Sequence, residues 1–373
     1  MLTPPKGKSF FLFGPRGTGK TTWLKTQFPK AVYLDLLEAE LFNDLLARPQ
    51  HLENLIPDGF KDWVILDEVQ RIPALLHEVH RLIESKKIKF ILTGSGARKL
   101  KGKGVNLLAG RALTYRLYPM TALELGRDFN LANALRSGHL PAIFQESDPK
   151  RYLESYVMTY LEQEVRQEGL TRDLGAFSRF LEAASFSQGS VLNVSEVARE
   201  CAVHRKAAEN YFSILDDMMI AYRLPVFAKR AKRRLLRHNK FYFFDVGIYR
   251  TLRPAGPLDS PDETEGAALE TLVLQEIRAV NDYLNLDYDL FYWRTGNQLE
   301  VDFVMYGKRG MIAIEVKRTA KVSLKSLRGL KAFLKDYPQA RAVLLYGGKR
   351  TMREGPIQII PVELFLKNLR SEL

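Results

Sequence analysis

Apolar residues in the first third of the chain occur in short runs separated by polar turns. Residues 9–13, 31–36, 63–66 and 90–92 are such runs, and residues 74–84 have the amphipathic period of a helix. The first run leads through a glycine-rich turn into another helical stretch before the second run. This alternation of strands and helices predicts a parallel α/β sheet that extends to about residue 126.

The middle of the chain has a helical period instead. From residue 130 to about residue 219 apolar residues recur every three to four positions, and one long segment carries Leu153, Val157, Tyr160, Leu161 and Val165 on one face. Residues 254–261 then combine three prolines with Gly256 and Ser260, which is typical of a loop at a boundary.

The last third returns to an α/β pattern. We predict a helix over residues 263–283, strands over 290–294, 300–306, 311–316 and 342–346, and a helix over 324–336. At roughly 150 residues per domain, a chain of 373 residues should hold two or three domains. We therefore predict domains at 1–126, 127–255 and 256–373.

Composition narrows the possible partners. Lys and Arg number 56 against 43 for Asp and Glu, so the net charge is +13, which favours polyanions such as nucleic acid. Cys201 is the one cysteine, which excludes an internal disulfide and a multi-cysteine metal site. Apolar runs are too short for a membrane span or a signal peptide. We expect a soluble, cytoplasmic protein without a membrane partner.

A glycine-rich turn with a lysine and a threonine follows the first strand. It satisfies the pattern G-x-x-x-x-G-K-S/T between a strand and a helix, which is the P-loop of ATP-binding proteins. Backbone N–H groups of such a turn bind phosphates, Lys20 neutralises them, and Thr21 offers a hydroxyl to Mg²⁺. The predicted ATP-binding residues are Gly14, Pro15, Arg16, Gly17, Thr18, Gly19, Lys20, Thr21 and Thr22.

The apolar run at 64–66 ends in two acids, as a Walker B strand does. Asp67 is expected to hold Mg²⁺, and Glu68 to polarise the attacking water in ATP hydrolysis. The alternative is that the two acids only cap a strand end. Small hydroxyl residues follow the next strand, and we predict that Ser95 senses the γ phosphate.

Residues 191–219 predict two short helices joined by a tight turn. Ala208, Tyr211, Phe212 and Leu215 would bury the second helix, so the pair is typical of a helix-turn-helix. Arg205, Lys206 and Asn210 would then face DNA. The alternative is a solvated helix face in an ordinary bundle, or a winged helix that contacts protein.

A strongly basic segment follows the predicted helix pair. Residues 229–240 contain seven cations and no acid. A wing of this composition would bind phosphates without reading sequence, and anionic lipid is the competing partner. The predicted DNA contacts here are Lys229, Arg230, Lys232, Arg233, Arg234 and Arg237.

The motifs together resemble a known family, the predicted AAA+ ATPases of bacteria and archaea with a C-terminal domain of unknown function. The resemblance rests on the P-loop, LDEVQ at 66–70, LTGS at 92–95, LAGR at 108–111 and LYPMT at 117–121. It continues with FYFFDVG at 241–247, ETLV at 270–273, YWR at 292–294 and EVDF at 300–303. The resemblance implies a homo-oligomeric ATPase and makes Arg111 a candidate arginine finger or cis sensor. The alternative for Arg111 is a local contact with carbonyl groups.

Acidic residues and a lysine lie on two neighbouring strands of the last third. Alternation puts Glu315 and Lys317 on one face, and a hairpin would bring Asp302 beside them. Such a group suits one Mg²⁺ with a lysine beside the attacking water. It resembles the PD-(D/E)xK nuclease core, in which Glu270 would be an additional metal-ligating acid; Val301 stands where the motif has proline.

Two functions compete on this evidence, beside a membrane-surface ATPase, which would rest on the net charge alone. The first is an ATP-hydrolysing DNA-binding protein of DNA processing, such as repair, recombination or replication-fork remodelling, with a P-loop domain, a winged helix-turn-helix region and a nuclease-like α/β domain. The second is a regulatory ATPase switch that binds DNA or a protein while its nuclease-like domain is inactive.

Overall fold

The computed structural model describes residues 2–5, 7–96, 108, 110–161, 173–228, 238–256 and 260–373. They form two compact units. The N-terminal unit comprises residues 2–119 with 217–219, and the C-terminal unit comprises residues 120–216 with 220–373. The predicted division at residue 256 falls inside the second unit and stays a prediction. In the part of the chain so described, every helix is too short or too polar to cross a membrane.

The N-terminal unit is a five-stranded sheet with helices. Its strands are β1 (Ser9–Phe13), β2 (Val32–Asp35), β3 (Trp63–Asp67), β4 (Lys89–Gly94) and β5 (Ala112–Arg116). Its longer helices are α1 (Lys20–Gln27), α2 (Ala39–Ala47) and α3 (Leu75–Lys86). All neighbours in the order β2-β3-β4-β1-β5 are parallel, so the carboxyl ends of all five strands meet at one edge.

Burial explains why apolar runs form these strands. Every residue of β1 and β3 is buried, as expected for strands covered on both faces. Leu66, Val79 and Leu92 belong to one core that packs α3 against β3 and β4. The mixed α/β fold with its parallel sheet fits a P-loop ATPase domain of the AAA type.

The first part of the C-terminal unit is helical. Its helices are α4 (Ala122–Leu125), α5 (Leu131–Ser137), α6 (Pro149–Ser155), α7 (Leu174–Ser185), α8 (Val194–Glu200) and α9 (Arg205–Asp217). A two-stranded antiparallel sheet and another helix follow, namely β6 (Ala221–Leu224), β7 (Lys240–Phe243) and α10 (Val246–Leu252). After α6 the chain continues as a π-helix over Tyr156–Leu161 rather than as the regular helix that the period predicts. Val165 lies outside the described residues.

The second part of the unit is a six-stranded mixed sheet with helices. Its strands are β8 (Asp289–Arg294), β9 (Glu300–Gly307), β10 (Gly310–Lys317), β11 (Arg341–Tyr346), β12 (Met352–Glu354) and β13 (Ile357–Pro361), in the order β12-β13-β11-β10-β9-β8. Its helices are α11 (Pro261–Tyr283), α12 (Arg328–Asp336), α13 (Val362–Lys367) and α14 (Leu369–Glu372). Trp293, Val304 and Phe333 are fully or almost fully buried in its core.

Candidate functional site

The glycine-rich turn lies at the carboxyl end of β1 and opens α1. Gly19 has a φ of 84°, which favours glycine, and a Cβ atom on Gly14 would lie 2.5 Å from the carbonyl oxygen of Leu117. The Lys20 ammonium is almost completely buried and donates to the carbonyl oxygens of Gly14, at 2.7 Å, and Pro15, at 3.1 Å. Its charge is therefore held at the turn that would receive phosphate.

Asp67, at the carboxyl end of β3, lies beside this turn. Its Oδ2 accepts a hydrogen bond from Thr21 Oγ1 at 3.2 Å and another from the Tyr33 hydroxyl, and its Oδ1 accepts one from Thr93 Oγ1. Burial and the hydrogen bond to Asp67 raise the pKa of Tyr33 well above its usual value, so its hydroxyl stays a donor. A carboxylate and a hydroxyl oxygen in contact fit an Mg²⁺ ion, which prefers oxygen ligands.

Glu68 follows Asp67 in a left-handed backbone conformation, with a φ of 58°. Its carboxylate accepts a hydrogen bond from Gln70 Nε2, which also lies 3.3 Å from Ser95 Oγ. Gln70 and Ser95 are buried, whereas Glu68 is half-buried. Gln70 thus joins two side chains that the sequence assigns to hydrolysis and γ-phosphate sensing.

Three residues of this site escaped the sequence reasoning, namely Tyr33, Gln70 and Thr93. Tyr33 lies within β2, Gln70 follows β3, and Thr93 lies near the carboxyl end of β4. The position of Thr93 two residues before Ser95 in LTGS was a usable signal, because it puts a second small hydroxyl side chain at the carboxyl end of the same strand. Tyr33 carries no comparable signal, since only the pairing of β2 with β3 brings its hydroxyl to Asp67.

Arg111 is not near this edge of the sheet. It precedes β5, whose first residue pairs with Ser9 at the amino end of β1, and its Nε lies 2.5 Å from Glu84 Oε1 of α3. The P-loop follows the opposite end of β1. The structure therefore does not bring Arg111 to the P-loop of its own chain, and both the arginine finger and the local contact stay predictions. Arg116 lies at the P-loop edge instead, paired with Phe13.

The predicted helix pair is present as α8 and α9. Asn193 caps α8 by accepting a hydrogen bond from the Glu196 N–H, and Ala202 in the intervening turn has a φ of 55°. The predicted buried positions of α9, which are Ala208, Tyr211, Phe212 and Leu215, are all buried. Arg205, Lys206 and Asn210 are exposed, and Arg205 Nε is 2.9 Å from Glu209 Oε1.

The basic segment that is predicted to bind phosphates lies between β6 and β7 in the chain. Lys229, Arg230, Lys232, Arg233, Arg234 and Arg237 lie outside the described residues. On its two sides, β6 and β7 pair antiparallel, from Ala221 opposite Phe243 to Leu224 opposite Lys240. The basic segment therefore connects two paired strands that come directly after the helix pair.

The predicted acidic group of the last third is brought together on β9 and β10. Ile314 pairs with Phe303, so Glu315 lies beside Asp302 on the neighbouring strand. Lys317 Nζ is 2.6 Å from Glu315 Oε1 and 4.0 Å from Asp302 Oδ2. The Val316 N–H donates to Asp302 Oδ2 at 2.8 Å, which fixes that carboxylate against β10.

Helix α11 and strand β7 complete this group. Glu270 of α11 accepts a hydrogen bond from the Tyr242 hydroxyl at 3.1 Å. The Lys240 ammonium is 2.5 Å from Glu300 Oε1, 3.6 Å from Asp302 Oδ1 and 3.8 Å from Glu270 Oε2. The sequence does not assign Lys240, Tyr242 and Glu300 to this site. For Lys240 the reason is that it ends the basic segment, residues 229–240. We use the name acidic cluster for seven residues, namely Lys240, Tyr242, Glu270, Glu300, Asp302, Glu315 and Lys317.

Burial perturbs the carboxyl groups of the acidic cluster. Burial and the neighbouring Asp302 raise the pKa of Glu270 to about 7 and that of Glu315 well above its usual value. Burial lowers the pKa of Lys240, but its acidic neighbours raise it further, so the net shift is well above the ordinary value. The lysine therefore stays charged.

The acidic cluster differs from the predicted metal site in one respect. Glu270, Asp302 and Glu315 do converge, but two lysines lie among them. Within the described ranges, no group of three or more His, Cys, Asp and Glu side chains has an arrangement that could hold a metal ion. The physical reason is that Lys240 and Lys317 contact the carboxylates that would have to ligate the ion.

Comparison with known families agrees with the N-terminal assignment. Residues 6–126 match a family described as an AAA domain, residues 128–259 match a domain of unknown function, DUF8612, and residues 265–365 match another, DUF4143. The first match supports an AAA-type ATPase and, with it, nucleotide binding and ATPase activity. The other two descriptions assign no function.

Relatives extend along most of the chain. An uncharacterized protein of Mycobacterium tuberculosis is 28% identical over 347 residues, which cover 91% of this chain and 76% of the relative. An uncharacterized protein of Haemophilus influenzae is 21% identical over 65% of this chain and 66% of its own. Among solved structures, protein VC1899 from Vibrio cholerae is 13% identical over 98% of this chain and 96% of its own, with a TM-score of 0.24.

Proposed function

We propose that the chain is a Mg²⁺-dependent ATPase that uses hydrolysis to change how it holds DNA. The observation that carries the ATPase part is the contact of Thr21 Oγ1 with Asp67 Oδ2 at 3.2 Å. It joins the P-loop helix to the carboxyl end of β3, where the two acids lie. A family match to an AAA domain over residues 6–126 supports the same chemistry.

Each residue of the P-loop site has a separate task in this proposal. Lys20 and the backbone N–H groups of the turn bind the phosphates. Thr21 and Asp67 would hold Mg²⁺, which when bound neutralises phosphate charge. Glu68 accepts the proton of the attacking water, and Gln70 orients the Glu68 carboxylate through its hydrogen bond. Ser95 contacts the γ phosphate.

The ATPase part is tested by removing the phosphate counter-charge. Lys20→Ala should abolish both ATP binding and hydrolysis, because no other described lysine lies in the turn. Lys30→Ala, an exposed lysine beyond α1, is the matched control and should behave as the wild type. Tight ATP binding by Lys20→Ala would contradict the proposed site.

DNA is the second part of the proposal. Exposed Arg205, Lys206 and Asn210 on α9 and the six cations of residues 229–237 support a basic surface for phosphates. The helix pair followed by the antiparallel strands β6 and β7 is the element order of a winged helix. Duplex or branched DNA is the proposed partner, and a homo-oligomer is the proposed assembly.

The basic segment is tested by its salt dependence. Replacing Arg230, Lys232, Arg233 and Arg234 by Ala removes up to four phosphate contacts, so the slope of log K against log salt should fall by up to about 3.6 on duplex DNA. Lys321, Lys325, Lys349 and Arg353 are exposed elsewhere, and their replacement by Ala is the charge-matched control. Equal slopes for the two variants would show that the basic segment does not contact DNA phosphates.

DNA processing and a regulatory switch make different demands on ATP turnover. A processing ATPase should hydrolyse ATP faster in the presence of the DNA structure on which it acts. ATP hydrolysis should therefore be measured without DNA and with duplex, forked and four-way DNA. Stimulation by one structure supports DNA processing, whereas a rate that no DNA changes supports the alternative, a switch that binds a partner through an inactive nuclease-like domain.

A further inference from the structure

Lys240 is a charged side chain buried inside the acidic cluster. It lies at the start of β7 and is only 2% exposed. Its ammonium is within 4 Å of carboxylates on Glu270, Glu300 and Asp302, which come from α11 and β9. Burial of an ammonium group is unfavourable unless carboxylates compensate its charge. The carboxylates of Glu270, Glu300 and Asp302 supply this compensation for Lys240.

The cations already present nearly balance the acids. Glu270, Glu300, Asp302 and Glu315 supply four carboxylates, and Lys240 and Lys317 supply two ammonium groups among them. Arg294 adds a third cation, with its Nε 3.3 Å from Glu300 Oε2. The charge that would attract a divalent cation is therefore largely neutralised by side chains of the chain itself.

Few oxygen atoms are left for a metal ion. Asp302 Oδ2 accepts the Val316 N–H, Asp302 Oδ1 faces Lys240, and Glu270 Oε2 accepts the Tyr242 hydroxyl. Glu315 Oε2 is the buried carboxylate oxygen of the cluster without a hydrogen-bond partner among the described residues. Mg²⁺ is held by one or two carboxylates together with waters, and the Asp302 carboxylate that would take this part is already engaged by the Lys240 ammonium and the Val316 N–H.

We infer that the Lys240 ammonium takes the place of a metal ion in the acidic cluster, which closes the cluster to Mg²⁺ and Mn²⁺. An ion beside Asp302 would have to displace an ammonium that three carboxylates hold, or lie next to its charge. The same contacts attach the beginning of β7 to β9 and α11.

Mn²⁺ binding to the full-length chain, followed by electron paramagnetic resonance without nucleotide, tests this inference. All variants carry Asp67→Asn, which removes the expected metal ligand of the P-loop. The protein with Lys240 and Asp302 intact and its Asp302→Asn variant should bind the same number of Mn²⁺ ions. Lys240→Met should gain one site, and Lys240→Met with Asp302→Asn should lose it again.

Two results would overturn the inference. One is a Mn²⁺ site in the protein with intact Lys240 that Asp302→Asn removes. The other is a folded Lys240→Met variant, shown by near-ultraviolet circular dichroism, that gains no site. If Lys240→Met does not fold, the test is whether Asp302→Asn lowers the number of Mn²⁺ ions bound by the protein with intact Lys240. None of these outcomes depends on ATP hydrolysis or DNA binding.

Discussion

At the scale of single residues, Asp67 organises the P-loop site by accepting hydrogen bonds from several elements. Thr21 contributes from α1, Tyr33 from β2 and Thr93 from β4, and each donor is a hydroxyl. Hydrogen bonds to a charged acceptor are about twice as strong as neutral ones, so they fix the carboxylate orientation. Glu68 next to it is held by a different side chain, Gln70.

Glu68 is expected to act in turnover rather than in nucleotide binding. Glu68→Gln keeps the shape of the side chain but removes its basicity, so ATP should still bind while the hydrolysis rate falls to the background. Binding by isothermal calorimetry and phosphate release should be measured on the same preparation. Glu363→Gln, an exposed acid on α13, is the control. Hydrolysis at the wild-type rate would show that Glu68 does not activate water.

Gln70 is expected to position Glu68. Gln70→Leu removes a hydrogen bond to a charged group, worth about 1.5–3 kcal/mol, so kcat should fall by roughly 10- to 100-fold with little change in KM for ATP. Steady-state kinetics separate the two parameters. A rise in KM at constant kcat would instead mean that Gln70 contributes to nucleotide binding.

At the scale of elements, α8 and α9 show how packing leaves one polar face available. Tyr211 and Phe212 of α9 pack against aromatic residues of α7, with ring centroids 5.2 Å apart for Phe180 and Tyr211 and 4.8 Å apart for Phe180 and Phe212. The opposite face of α9 carries Arg205 and Lys206 in solvent. The aromatic face therefore fixes the position of α9, whereas Arg205 and Lys206 lie in solvent and do not pack against the core.

The exposed face of α9 should contribute phosphate contacts. Replacing Arg205 and Lys206 together by Ala should lower the salt slope of duplex binding by up to about 1.8. The expected decrease for Arg205 is the smaller part, since Glu209 already pairs with it. Lys150→Ala with Arg151→Ala, two exposed cations on α6, is the control. An equal effect of both pairs in fluorescence anisotropy titrations would indicate only a general charge effect.

At the scale of the whole molecule, buried polar groups join distant parts of the C-terminal unit. Glu276 of α11 accepts the Ala122 N–H with both carboxylate oxygens, at 2.9 and 3.0 Å, and lies 3.3 Å from His139 Nδ1. Asp245, at the start of α10, accepts the His139 N–H at 2.8 Å. These contacts connect segments that lie more than 100 residues apart in the chain.

Glu276 should make the unit less stable as pH rises. Burial raises its pKa above the usual 4.5, although His139 and the Ala122 N–H oppose the shift. The folded state then binds a proton more tightly than the unfolded state, so its stabilisation is full below pH 4.5 and is lost as pH rises to the raised pKa. Glu276→Gln should reduce this loss.

Urea unfolding at a series of pH values measures the effect. The wild type should lose more unfolding free energy between pH 4.5 and neutrality than Glu276→Gln does. The comparison isolates Glu276 from Glu124 and His139, the ionisable groups that face it, because both remain in the variant. Glu263→Gln, an exposed acid near the start of the same helix, is the control. Parallel pH profiles of wild type and Glu276→Gln would contradict the prediction.

The sequence by itself determined the parts of the protein that depend on local pattern. Apolar runs placed β1, β3 and β4, the glycine spacing placed the P-loop before α1, and strand alternation placed Glu315 with Lys317. These follow from backbone sterics and from periods of 2.0 and 3.6 residues, which act over a few neighbouring positions. The buried face of α9 was predictable for the same reason.

Only the tertiary structure decided which distant side chains meet. Strand order in the sheet brings Tyr33 to Asp67 and places Arg111 at the edge away from the P-loop. Pairing of β7 with β6, together with the position of α11, brings Lys240 into the acidic cluster. Lys240 follows the cations of residues 229–237 and directly precedes the apolar run 241–244. This position predicts the start of a strand, but it does not separate a buried ion-pair partner from a phosphate-binding cation at the end of that strand. That difference arises from long-range packing, which determines whether a charge remains in water.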